Sequence, residues 1–196
     1  MRPHRAVRAI VYLTVLAGFL RIPAALGSPQ DPSVNSEPPA FHDFTQRVQQ
    51  YVKLQNALPR LRTTKKRAEI VERRQILAAK IREARAGAKQ GDIFTPEASQ
   101  EFRRRIRATF QGPNAVNVRK TIRQGEPLKG WHLTVNGDYP EHLPMTTVPP
   151  TLLLCLPPLP NGLAYRIVGH DFVLEDKEAR LFLDFIPGAI PSTPSP

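Results

Sequence analysis

Three histidines, His132, His142 and His170, stand near carboxylates at Asp138, Glu141 and Asp171. Imidazole beside carboxylate is the raw material of a metal site or an acid–base pair. Metal ligands, however, come at paired spacings on a helix or in a knuckle, and these residues show none. Glu175 and Asp176 are adjacent, so a strand turns them to opposite faces rather than into one acid–base pair. Between residue 40 and the C-terminal tail the one serine is Ser99, in the first turn of an expected helix. No Gly-x-Ser-x-Gly, Gly-x-Gly-x-x-Gly or P-loop occurs, which leaves no activated nucleophile and no phosphate cradle. The chain therefore reads as a non-enzyme without a cofactor or a metal. The competing reading is a periplasmic small-ligand or metal-binding module built on His132, His142 and His170.

The arginines carry more. Of a net charge of +11, residues 41–124 hold 20 Lys+Arg against seven Asp+Glu, while residues 125–196 hold four against eight. Such asymmetry calls for an anionic partner, external or within the chain itself. On one expected helix Arg67, Arg74, Arg82, Arg85 and Lys89 cluster beside the apolar stripe. The next carries Arg103 and Arg107, like charges at i,i+4 that repel unless something anionic compensates. A solvated face is the bland alternative. The set Arg67, Arg74, Arg82, Arg85, Lys89, Arg103 and Arg107 is the candidate surface for an anionic envelope component, a lipid head group or an acidic polymer. Nucleic acid would suit the charge, but aromatics are not interleaved with the arginines and the N-terminus argues for export.

That N-terminus has Arg2, Arg5 and Arg8, then an apolar run of 12 residues, then Ala25-Leu26-Gly27. It reads as a signal peptide over 1–27, too short to span a bilayer, with export to the periplasm or beyond of a bacterial cell. No later segment reaches spanning length. Residues 28–40 read as a disordered spacer. The lone Cys155 excludes an internal disulfide and, set among leucines, is expected to be a small buried hydrophobe.

Helical spacing positions the arginines. Phe41, Phe44, Val48 and Tyr51 share a stripe that Pro59 ends. A second helix is expected over 64–89, with Ile70, Leu77, Ile81, Ala84 and Ala88 facing one way. Gly91 stops it; Thr95 caps a third helix, Pro96 takes its first position, and Ile93 and Phe94 fold back as a staple. The third helix carries Ala98, Phe102, Ile106 and Phe110 on one side. A short helix over 116–122 and a strand over 131–135 running into an Asn136-Gly137 turn are expected next. Residues 139–160 contain seven prolines, which forbid a helix there and predict an extended strap between the helices and the sheet. Residues 163–185 alternate as a three-stranded meander, with Tyr165, Ile167, Phe172, Leu174, Leu181, Leu183 and Phe185 inward and Val168 outward. The tail from 187 to 196 is expected to fray.

The run Leu-Ala-Tyr-Arg-Ile-Val-Gly-His-Asp-Phe-Val-Leu-Glu-Asp, followed by Leu-Phe-Leu-Asp-Phe-Ile, resembles the small terminal β-modules of uncharacterised exported bacterial proteins. It also loosely resembles a periplasmic family linked to nickel and cobalt tolerance. The likeness spans residues 163–186, implies a periplasmic setting and carries over no functional residue. The fold expected is α+β: two or three amphipathic helices on a small antiparallel meander, in one domain over 41–186. Its basic helical part spans 41–124, and its strap and meander span 131–186.

Overall fold

The computed structural model of the chain describes residues 37–58, 66–113, 115–122, 132–140 and 146–191. They form an α+β fold. The helices are α1 (Pro39–Ala57), α2 (Arg67–Ala84), α3 (Pro96–Gln111), α4 (Ala115–Ile122) and a single turn, α5 (Pro150–Leu153). The strands are β1 (Gly137–Asp138), β2 (Thr146–Thr147), β3 (Leu163–Val168), β4 (Asp171–Asp176) and β5 (Leu181–Ile186). They make one antiparallel sheet in the order β1-β5-β4-β3-β2, the expected meander with a two-residue strand added at each edge.

α3 is the helix that locks the layers together. Thr95 caps it by accepting from the Ala98 amide, and Pro96 occupies the first turn, where no amide partner is needed. Its inward residues Ala98, Phe102, Ile106 and Phe110 are all buried. The Phe102 ring meets Phe41, Phe44 and Phe94 at centroid distances of 4.9–5.0 Å, in edge-on arrangements. It also reaches Tyr165 and Phe172 on the sheet at 5.8 and 5.7 Å. These are favourable aromatic geometries on top of the area buried. α1 supplies Phe41, Phe44, Val48 and Tyr51 to the same core, as its spacing implied.

The sheet departs from strict alternation at one point. Leu174 pairs with Asp184 but Glu175 pairs with Phe182, so Leu183 is an extra residue on β5, a β-bulge. The slip reverses the facing of everything after it. Phe185, expected inward, packs instead on the far face, while Asp184 turns in toward the helices. There it is fully buried and accepts from the backbone amides of Gly91, Ile93 and Phe94 at 3.0, 2.8 and 2.8 Å, and from Phe185. One carboxylate thus ties the loop before α3 to the sheet. Gly91 lies at φ 92°, a backbone that suits glycine.

The far face is not the solvated surface expected at Val168. Val168, Val173, Phe182 and Tyr139 form a second, smaller apolar cluster, with Leu133 and Phe185 against it. It exists because the chain around Asn136 and Gly137 crosses that face. The strand expected over 131–135 is absent in its described part; pairing starts after the turn, at β1. The turn falls one residue earlier than expected: Val135 and Asn136 are central, the Gly137 amide donates to the Thr134 carbonyl at 3.0 Å, and Asn136 takes a left-handed φ of 57°.

The proline-rich segment is also less extended than expected. Pro149 and Pro150 open the α5 turn, because proline at a first helical position loses no hydrogen bond. The turn sends Leu152 and Leu156 into the core and leaves Leu153, Leu154 and Cys155 exposed. The cysteine is therefore on the surface, not buried. The chain also stays anchored past 187. Gly188 donates to Asp171, Ile190 donates to the His170 carbonyl, and Ala189 and Ile190 are buried. Residues 1–36 and 192–196, with Trp131 and His142, lie outside the described residues.

Candidate anionic-contact surface

The cations singled out by the sequence do not form one face; the fold divides them by what surrounds them. Arg82, Arg85 and Arg103 turn toward the sheet half. Arg82 donates Nε to the Asn136 carbonyl at 3.0 Å and pairs with Asp138. Arg85 donates Nη2 to the Leu183 carbonyl at 3.1 Å, with its guanidinium 5.3 Å from the centre of the Tyr51 ring. Arg85 returns the favour through its own carbonyl, which accepts from the Asn136 side chain at 3.2 Å. Arg103 forks onto the carbonyls of Pro187 and Gly188 at 2.7 and 3.1 Å. That contact also answers the Arg103–Arg107 repulsion: the compensating negative ends are backbone oxygens of the turn after β5.

One further arginine makes the same kind of bridge: Arg73 pairs with Glu178 at 2.6 Å. Part of the helical half's positive charge is therefore spent on the acidic sheet half. These contacts are partly exposed, and each is worth little alone; their role is to fix α2 at a defined place against the strands.

Arg67, Lys89 and Arg107 are exposed, and Arg74 is half-buried with its Nε shut off from solvent and without a partner. Arg74 lines a shallow cavity of about 290 Å3 with Ile70, Arg73, Leu77, Lys177 and Glu178. The helix beneath it is unusually bare. Of the 18 residues of α2 only Ala78 and Ile81 are buried, both in its second half. The stripe expected from Ile70 to Ala88 is covered only there; Ile70 and Val71 are each 39% exposed. Arg67, Ile70, Val71 and Arg74 are spaced three, four and seven apart, so they lie side by side on the first two turns. Lys66, paired with Glu69 at 3.0 Å, sits at the same end.

Of the three histidines, His132 and His170 lie among the described residues. His132 is exposed, and His170 contacts the Ile190 carbonyl at 3.3 Å through Nδ1. Among the described residues no three of His, Cys, Asp and Glu gather at metal-binding distances. No described helix is long and apolar enough to cross a membrane.

Sequence reasoning missed the two carboxylates that matter most to the placement of these helices, Asp184 and Asp176. Asp176 is fully buried and accepts from the Tyr51 hydroxyl at 2.5 Å, the Gln55 amide at 2.7 Å, and the Glu178 and Ala179 backbone amides at 2.8 Å. Burial raises its pKa, and the Tyr51 and backbone hydrogen bonds pull it partly back. Tyr51 is itself pushed well above its usual range, first by burial and then by the Asp176 charge. The available signal was an acid inside an apolar strand, which is costly unless paired.

No family model matches the chain, and no curated protein or solved structure matches it either.

Proposed function

We propose that the protein is an exported, non-enzymatic binding protein that meets an anionic lipid surface of the envelope through the first half of α2. The observation that carries this is the bare end of that helix. Ile70 and Val71, each 39% exposed, lie between Arg67 and Arg74; the other exposed large apolar residues described, Val116, Leu153 and Leu154, lie on α4 and in the α5 turn. Apolar side chains flanked by cations suit the boundary between head groups and acyl chains. Arg82 and Arg85, turned inward, act as the fixture that holds α2 against the sheet half. Lys177, from the β4–β5 turn, lines the same cavity as Arg74 and widens the positive face.

The test is flotation of the full chain with vesicles of zwitterionic lipid, with and without an anionic glycerophospholipid. Binding is expected only when the anionic lipid is present. It should weaken as salt rises, because exposed charges are screened over about 8 Å at physiological ionic strength. Ile70→Ser with Val71→Ser should reduce it further at fixed salt. Equal binding to both vesicle types, or none to either, contradicts the proposal.

A further inference from the structure

We propose that the cleft between α1 and the segment after α2 binds a small organic monocarboxylate, with the Arg85 guanidinium as its receptor. The cleft has a volume of about 370 Å3, within the range of small-ligand sites. It stays open because Ala84, Gly87 and Ala88 line one part of it with nothing larger than a methyl group. Tyr51, Leu54 and Ile93 line it as well and give an apolar body somewhere to rest.

Arg85 is half satisfied. Its Nη2 donates to the Leu183 carbonyl, but its Nη1 is buried and has no hydrogen-bond partner. The nearby Asp184 cannot supply the missing acceptor. Its two oxygens already take four backbone amides, from Gly91, Ile93, Phe94 and Phe185, which fills the acceptor capacity of a carboxylate. The hydroxyl of Tyr51 is committed to Asp176. Nη1 is closed to solvent as it stands, so the two oxygens of a ligand carboxylate meet the guanidinium fork once its terminal plane rotates into the cleft.

The charges nearby set the ligand's valence. Arg47 also lines the cleft but is paired with Asp43 at 2.9 Å and donates to the Asp92 carbonyl at 2.8 Å. Arg85 remains, with the Asp92 carboxylate, which accepts from the Lys89 amide at 2.8 Å, and the charge of the nearby Asp184. A ligand with one negative charge faces Arg85; a dianion such as phosphate brings a second charge toward Asp92. The site is separate from the bare end of α2 and stands or falls independently of it.

The experiment is an amide-resolved NMR titration of the full chain with sodium benzoate, and in parallel with sodium phosphate. Benzoate at millimolar concentration should give saturable shifts at Gly87, Ala88 and Ile93. Ala88→Leu, which fills the cleft and leaves Arg85 in place, should abolish them while the rest of the spectrum stays folded. Arg85→Lys, which keeps the charge but loses the fork, should weaken binding at least tenfold. No saturable shift in the unmutated protein overturns the proposal. So does benzoate binding that survives Ala88→Leu, or phosphate that binds as well as benzoate.

Discussion

α2 and α3 are both arginine-rich helices of similar length, and they do opposite things. α3 buries four side chains at a spacing of four and places Phe102 at the centre of the aromatic core. α2 buries two, leaves the first half of its apolar stripe partly uncovered, and is held chiefly by arginines that reach carbonyls of the sheet half. The contrast teaches that arginine content says little about a helix's role. What decides is whether the apolar stripe is covered. On α3 the cations are what remains outside a covered stripe; on α2 an uncovered stripe lies among them.

The contrast can be broken most sharply at Asp184. Asp184→Ala leaves the buried amides of Ile93 and Phe94, and the part-buried one of Gly91, without an acceptor, at about 1–3 kcal/mol for each buried group. A loss of at least about 3 kcal/mol in chemical denaturation is expected. Phe102→Ala, which opens a cavity where α1, α3 and the sheet meet, should cost about 3–5 kcal/mol. A loss under about 1 kcal/mol for either would show that α3 is not the helix that fixes the layers.

Next in size is Tyr51→Phe, which removes a donor from the buried Asp176 and should cost roughly 1–3 kcal/mol. The same carboxylate gives a pH test. Its folded pKa lies above its unfolded one, so the folded chain holds a proton that the unfolded chain has lost. Stability from this group therefore falls as pH rises from the usual carboxylate range through the folded pKa, and is level above it. In Asp176→Asn that decline should vanish. Denaturation midpoints of the two proteins across the acid range would show it as a fall in the unmutated protein, relative to the variant, with rising pH. A difference that does not change with pH would count against the raised pKa.

The smallest effect belongs to the bare helix end. Ile70→Ser, at a position 39% exposed and outside the core, should change stability by no more than about 0.5 kcal/mol. A loss comparable to that at Phe102 would mean that Ile70 is buried in solution and that this face is already occupied.

α3 was fully legible in the sequence because its signals are local: a stop at Gly91, a cap at Thr95, proline in the first turn, then apolar residues every fourth position. The stripe on α2 was equally legible, but nothing local says whether a stripe is covered. The meander was legible, yet one extra residue at Leu183 turned Phe185 outward and Asp184 inward, and strict alternation gives no sign of a bulge. The division of the arginines was the least legible. Arg82, Arg85 and Arg103 find carbonyls 54, 98 and about 85 residues away along the chain, and carbonyl positions are a property of the fold rather than of residue types. Cys155 is exposed because Pro149 and Pro150 open a helical turn, as Pro96 does for α3, where the density of prolines in 139–160 argued only against a helix.

The most direct measurement of the division is a pair of double charge reversals, each followed by both vesicle flotation and chemical denaturation. Arg67→Glu with Arg74→Glu should weaken binding to anionic vesicles more than tenfold, since each cation near such a surface contributes on the order of 1 kcal/mol. It should leave the denaturation midpoint where it was. Arg82→Glu with Arg103→Glu should lower the midpoint, because both side chains hold carbonyls of the sheet half. If the outer pair lowers stability and leaves vesicle binding unchanged, the cations of α2 serve only the fold and the surface contact is refuted.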